Sequence, residues 1–435
     1  MHKKLAPTPP MGWNSWDCYG AAVNEEQLLA NADYMAKHLK DYGWEYVVCD
    51  IQWSEPTADS FYYHYFAELC MDEYSRLIPS VERFPSSAGG KGFKPIADYI
   101  HSLGLKFGIH IMRGIPRQAA HRNTKIKCEG VTARDIAKPS SVCLWNPDMY
   151  GLNTEAKGAQ EYYDSIFELY ASWGVDYIKC DDIANTEIFP HNPYSARKEI
   201  EMLRKAIDKC GRDMVLSLSP GPAPVCEHEH LAANANMWRM TGDFWDEWPK
   251  LHAMFERCYA WQEYVQPGAW PDCDMLPIGR IQKTEKLEKY RNRYTRFTHD
   301  EQITMMTLWG IFRSPLMIGA EMRENDEFTL SLLQNRELID MLKNSSGARQ
   351  FRRDETDGKG EIVWTSKGEN CKYVALFNTD DKEREISFDI SDIAVGGAEY
   401  SVWDMWAHGE YTVTCGEFSA KVNSHGARLF KITLK

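Results

Sequence analysis

The chain has 435 residues, too many for one ordinary core, so a barrel-sized domain plus a smaller one is the natural division. Its formal charge of −13 and pI near 5.5 argue against nucleic acid and anionic membrane partners, and leave a neutral substrate open. Apolar residues make up 43% and charged residues 26%, ordinary for a globular protein, and no stretch approaches the roughly 18 apolar residues of a membrane span.

Met11–Trp16 (MGWNSW) opens the first strand–helix unit. Leu28, Leu29, Ala32, Met35, Ala36 and Leu39 follow at helical spacing, Gly43 is the expected stop, and Glu45–Ile51 is the next expected strand. FKPIADYIHSLG reads as a helix feeding Lys106–Met112, and AQEYYDSIFELYASWG as one feeding Val175–Ile183. ARKEIEMLRKAIDKCG feeds Met214–Ser219. NMWRMTGD, a helix near Trp248–Gln262, GAWPDCDML and a helix feeding Ser314–Gly319 complete the series. About eight such repeats fit a closed parallel (β/α)8 TIM barrel better than an open sheet. Neither GxGxxG nor GxxxxGK[ST] occurs, which also disfavours an open nucleotide-binding sheet. Gln52–Gly92 and Arg113–Ala156 interrupt the rhythm after strand ends, where a barrel carries its rim loops.

After Ser345 short alternating runs take over: EIVWTS, KYVALFN, REISFDI, EYSVWDMW, GEYTVTC and ARLFKITL. Turn residues separate them, the pattern of an antiparallel β-sandwich. The expected division is a barrel over 1–340 and an all-β domain over 345–435. The 12 cysteines include no CxxC pair and no Cys/His cluster of zinc spacing. With no apolar run in MHKKLAPTPPMGW, the expectation is free thiols and a cytoplasmic protein. CEHEH (226–230) reads as a polar loop, and no metal site is expected.

Aspartates gather at the ends of the expected strands: Asp50, Asp181 and Asp182, Asp243, then Asp272 and Asp274. In a barrel these ends converge on one mouth. Any single one is equally explained as a helix cap; so many at strand ends are not. A pair of carboxylates is what glycoside hydrolysis requires, one to attack or activate water and one to protonate the leaving oxygen. Lys179 would keep a neighbouring carboxylate ionised, and Arg239 would act similarly. Strand order alone does not choose the pair.

PPMGWNSWDCYG, WGVDYIKCDD, MWRMTGDFWDEW and WPDCDMLPIG, with SPLMIG behind them, resemble in order the α-galactosidase and α-N-acetylgalactosaminidase family, family 27 of the glycoside hydrolases. The resemblance runs from about Pro9 to Arg323, and the C-terminal β domain fits the same architecture. It implies a retaining, cofactor-independent enzyme acting on a small carbohydrate or glycoconjugate. It places the nucleophile on Asp181, the acid/base on Asp243, and sugar contacts on Trp16, Asp50, Lys179, Arg239 and Asp274. Four positions depart from the family pattern. Ile51 stands where a second aspartate usually meets the 6-hydroxyl, which suits a sugar lacking C6 such as β-L-arabinopyranose. Ser219, with Ala223 nearby, stands in the fifth-strand motif and resembles the roomy C2 side of the N-acetylgalactosaminidases. His110 replaces a tyrosine, as a pocket contact or a core histidine. Ile183 replaces a disulfide cysteine. Together these imply an exo-glycosidase for terminal α-linked galactose or N-acetylgalactosamine, with β-L-arabinopyranosidase as the alternative. A catalytically silent carbohydrate-binding barrel and an internally cutting hydrolase are the competing readings. Oligomeric state is left open.

Overall fold

The structure is a computed structural model that describes residues 2–283, 292–393, 399–414 and 416–435. Its chain divides into two compact units. The first comprises Met1–Asp243, Pro267–Tyr294 and Leu316–Asn325; the second comprises Phe244–Gln266, Thr295–Pro315 and Asp326–Lys435.

The first unit holds eight parallel strands: β1 (Met11–Asn14), β2 (Tyr46–Cys49), β3 (Lys106–Met112), β4 (Tyr177–Asp181), β5 (Val215–Leu218), β6 (Met237–Arg239), β7 (Trp270–Asp272) and β8 (Leu316–Ile318). They pair in chain order, and β1 also pairs with β8. Leu276, just beyond β7, bridges in parallel to Ile318, which closes the (β/α)8 barrel. The strands are short and wholly buried but for Lys106 and Lys179, the pattern of a sheet covered on both faces. Helix α1 (Glu25–His38) starts at a capping box between Asn24 and Gln27 and buries Leu28, Asn31, Ala32 and Met35. Gly43 takes a left-handed conformation after the turn that follows it, as the sequence predicts.

Both long rim segments carry structure that sequence patterning does not announce. In the second, Ile115–Pro116, Met149–Leu152 and Ala137–Val142 form a three-stranded antiparallel sheet. Ala137–Val142 is largely exposed and shows no apolar alternation.

The second unit contains an antiparallel six-stranded sheet and a two-stranded sheet. Their strands are β9 (Ser346–Thr356), β10 (Lys359–Lys367), β11 (Lys372–Asn378), β12 (Arg384–Asp389), β13 (Glu399–Asp404), β14 (Gly409–Thr414), β15 (Glu417–Val422) and β16 (Ala427–Leu434). The larger sheet runs β9-β10-β11-β16-β13-β14 and the smaller pairs β12 with β15. Val363, Val374, Leu376, Ile386, Phe388, Val402, Phe418 and Phe430, drawn from both sheets, share one core, as a sandwich requires. Strands β9 and β15 are additions to the sequence expectation. β9 is an edge strand rich in charge, so no apolar period marks it. The expected turn at 395–397 and the end of GEYTVTC at Cys415 lie outside the described residues.

Gly12 in β1 has no room for a side chain: a Cβ there would sit 2.5 Å from Tyr46 O and 2.7 Å from Tyr46 Cβ in β2. Gly12→Ala is expected to wedge the two strands apart and lower stability by about 1–3 kcal/mol, read as a reduced Tm. An unchanged Tm would contradict so tight an approach.

Candidate active site at the barrel mouth

Period-two alternation along β4 puts Lys179 and Asp181 on one face of the strand. His110 on β3 is the register partner of Lys179, so the three side chains are neighbours. His110 Nε2 lies 3.1 Å from Asp181 Oδ2. Lys179 Nζ donates to Asp50 Oδ2 at 2.9 Å. Asp50, just past β2, also accepts from Asn14 Nδ2 at 2.7 Å, while its Oδ1 takes the Ile51 N–H at 2.9 Å. On the other side, Arg239 at the end of β6 pairs with Asp274 Oδ2 at 2.7 Å and Asp243 Oδ1 at 3.1 Å. Asp274 has a left-handed backbone (φ 83°), held by its N–H donating to Asp272 Oδ1 at 2.9 Å.

Strong charge coupling follows from this proximity. Burial opposes ionisation of Asp181, but the His110 hydrogen bond, the Lys179 charge and the Ser219 hydroxyl outweigh it and hold the carboxyl well below its usual range. Burial likewise penalises Asp50, and Lys179 with His110 reverses the effect, lowering it. Lys179 is itself held protonated: burial works against its charge, and Asp50 and Asp181 more than compensate. Burial also opposes the Arg239 charge, and Asp274, Asp243, Asp272 and Asp181 together raise it. One guanidinium therefore feels the charges of both Asp181 and Asp243. Their environments differ sharply, since Asp181's side chain is 13% exposed and Asp243's is 64% exposed.

Asp50, His110, Lys179, Asp181, Arg239, Asp243 and Asp274 all take part in these contacts. Ser219 follows β5 and is buried, as is Ala223. Ile51 is buried in an apolar cluster with Met112, Cys143 and Met149, against which Trp16, Tyr63, Leu77 and Trp145 pack. CEHEH forms a turn and the start of a short helix, where His230 meets the Tyr194 hydroxyl at 2.8 Å and Glu201 at 3.2 Å. Among the described residues no group of three or more His, Cys, Asp or Glu side chains could hold a metal ion, and the cysteines are free. No helix among them is long and apolar enough to cross a membrane.

Three features of the site escape the sequence. Tyr63 of the first rim segment stacks on Trp16 with centroids 5.2 Å apart and planes 13° from parallel. Its phenol is pushed up by burial and then by the charges of Asp181, Asp50 and Asp243. Asp17 is buried and raised well above the carboxylate range, by burial and then by Asp274. Finally, Asp182 turns away from Asp181 into a buried network. Arg113 lies 2.8 Å from Asp182 Oδ2 and 3.1 Å from Glu199 Oε1, and Tyr163 donates to Glu199 Oε2 at 2.6 Å. The Arg113 N–H bonds the Asp181 carbonyl at 3.1 Å, tying the network to the end of β4. The run FYYHYF was the one visible signal for Tyr63. Alternation suggests that Asp182 faces away from Asp181, and nothing local marks Asp17.

Known proteins resemble the chain over nearly its whole length. The family model described as Alpha galactosidase A matches residues 8–138 and 148–344, and the Alpha galactosidase C-terminal beta sandwich domain matches 359–432. An alpha-galactosidase of Cyamopsis tetragonoloba is 27% identical over 433 residues, spanning 99% of this chain and 87% of the relative. Among solved structures, a family-27 β-L-arabinopyranosidase of Geobacillus stearothermophilus is 54% identical with a TM-score of 0.95, covering 99% of this chain and 98% of its own. A Bacillus halodurans protein proposed to be an alpha-N-acetylgalactosaminidase is 47% identical with a TM-score of 0.87, covering 98% and 97%.

Burial pushes Asp182 up to about 7 from its ordinary 3.8; Arg113 opposes the rise, while Asp181 and Glu199 add to it. Between those values the folded state carries the extra proton, so this group's contribution to stability falls as pH rises. Asp182→Asn removes that slope. Its stability relative to the unsubstituted protein is expected to improve from about pH 4 to 7 in urea unfolding. A difference independent of pH would contradict a raised Asp182.

Proposed function

The chain belongs to the alpha-galactosidase family, family 27 of the glycoside hydrolases, and on that premise we propose that it is a retaining exo-glycosidase for galactose-configured pyranosides, with terminal β-L-arabinopyranose its preferred sugar. Asp181 is the nucleophile. Its carboxylate, kept ionised by His110 and Lys179, attacks the anomeric carbon as the bond to the leaving oxygen breaks. Asp243 gives that oxygen a proton as the aglycone leaves. It then takes a proton from water, whose oxygen attacks the glycosyl ester and frees Asp181 with net retention. The exposed position of Asp243 beside Arg239 suits a group that must meet both leaving group and water. Trp16 supplies an apolar face for the sugar ring, while Asp50, Lys179, Arg239 and Asp274 bind its hydroxyls.

The observation that carries the sugar preference is the surrounding of Ile51. A hydroxymethyl group directed there meets Ile51, Met112, Cys143 and Met149, none of which is a strong hydrogen-bond acceptor. Leaving its hydroxyl unpaired costs roughly 1–3 kcal/mol, about 5- to 150-fold in kcat/KM. A pentopyranose has only hydrogen at that carbon. The 54% identical neighbour that is a β-L-arabinopyranosidase supports this reading. A second reading, α-galactosidase or α-N-acetylgalactosaminidase, is favoured by the small buried residues Ser219 and Ala223 after β5.

Nitrophenyl β-L-arabinopyranoside, α-D-galactopyranoside and N-acetyl-α-D-galactosaminide separate these readings, and the arabinoside is expected to show the highest kcat/KM. Ile51→Asp should shift the galactoside-to-arabinoside ratio at least about tenfold toward the galactoside. An unchanged ratio would remove Ile51 from the specificity. Asp181→Asn should lose several orders of magnitude in kcat, and near-native turnover would disprove its assignment as the nucleophile.

A further inference from the structure

Two rim segments, far apart in sequence, meet above the barrel mouth. Asp148 of the second segment accepts from Gln52 Nε2 at 2.7 Å and from the Phe66 N–H at 2.9 Å, both of the first. Gln118 and Leu69 exchange two hydrogen bonds across the same seam, at 2.8 and 3.1 Å. Within the first segment the His64 N–H donates to Gln52 Oε1 at 3.3 Å, and its ring meets Thr57 Oγ1 at 3.2 Å. Phe61 packs closely on Gly20. Gly20, with φ 55°, lets its Cα approach so closely that a Cβ there would lie 2.6 Å away. The run Phe61–Phe66 is therefore anchored by backbone hydrogen bonds at His64 and Phe66 and by close packing of Phe61 on Gly20.

A ladder of rings results. Phe61 and Tyr63 both contact Trp16, with centroids 5.0 and 5.2 Å away. Tyr63 in turn meets Trp145 of the second segment at 5.5 Å and Tyr65 at 6.5 Å, tilted by 39° and 42°. At its inner end Tyr63 feels Asp181, Asp50 and Asp243. Its outer end opens to solvent: Tyr65 is 58% exposed and Leu144, next to Trp145, is 57% exposed. An exposed aromatic ring continuous through partly buried ones with the aspartate array is a surface prepared for a ligand. The sugar ring is assigned to Trp16, so these outer rings have a different part of the substrate to meet.

We propose that Tyr63, Tyr65 and Trp145 form the leaving-group subsite, which stacks a flat six-membered ring with an apolar face attached to the sugar that is released. The inference rests on the glycosidase reading above and gives the two rim segments a function. The ring belongs either to a second pyranose or to an aryl group. Both present a flat face to an aromatic side chain, and a small alkyl aglycone does not.

Three arabinopyranosides of one anomeric configuration test it: methyl, nitrophenyl, and a disaccharide whose aglycone is a pyranose. The measured quantity is kcat/KM for each ringed substrate divided by that for the methyl glycoside, so the intrinsic reactivity of each leaving group cancels between variants. Tyr65→Ala and Trp145→Ala are each expected to lower this ratio about tenfold for at least one ringed substrate, and Tyr65→Phe to restore it. A fall for the nitrophenyl glycoside alone identifies an aryl subsite, and a fall with the disaccharide a pyranose subsite. Ratios unchanged for both, with turnover intact, overturn the subsite alone. No turnover of any glycoside by the unsubstituted protein overturns the glycosidase reading, and the subsite with it.

Discussion

The ammonium group of Lys179 is the constraint around which the mouth of this barrel is organised. It lies 2.9 Å from Asp50 Oδ2 and is held protonated by Asp50 and Asp181 together. Burying two carboxylates at the ends of β2 and β4, on either side of β3, is costly unless a cation compensates them. Lys179 does so from within β4 itself, two residues before Asp181, so strand geometry fixes the triad without help from a mobile loop. His110, its register partner on β3, adds a hydrogen bond to Asp181. Arg239 repeats the device across the mouth with Asp274 and Asp243. The site is thus two compensated clusters, and the charge available for chemistry is set by what each cation leaves over.

This arrangement separates two aspartates by environment. Asp181 is surrounded and kept ionised, the state that its proposed attack at carbon requires. Asp243 stands exposed on the loop after β6, where a proton can be delivered and taken back. Placing two carboxyl groups of one chemistry in different surroundings is how one site runs nucleophilic and acid/base steps in turn. On the proposed reading, the apolar patch around Ile51 favours a sugar with nothing to hydrogen-bond there. Specificity by an absent partner is effective because an unpaired buried hydroxyl is penalised far more than a paired one is rewarded.

The barrel and the charged positions at its mouth were legible because they depend on local period and on strand ends. Lys106–Met112 emerges with the boundaries read from the sequence, and Asp50, Lys179, Arg239 and Asp274 all converge. What stayed hidden depends on distant partners. Arg113 meets Glu199 across 86 positions, and Phe66 meets Asp148 across 82, so no sequence window contains either pair. The strand Ser346–Thr356 was missed for a different reason. As a charged edge strand it has little apolar face to display. The Asp182 side chain, adjacent to Asp181 in sequence, goes to Arg113, a distinction that alternation suggests and only the partner explains.

The most direct test separates the two chemical steps. In an Asp243→Ala variant, a dinitrophenyl β-L-arabinopyranoside needs no acid to expel its leaving group, whereas hydrolysis of the glycosyl ester lacks its base. The covalent intermediate should then accumulate. Mass spectrometry of the digested protein should find one pentosyl group, with fragmentation placing it on Asp181. A pentosyl group on Asp182 or any other residue, or a burst of dinitrophenol with no covalent adduct, would contradict the account.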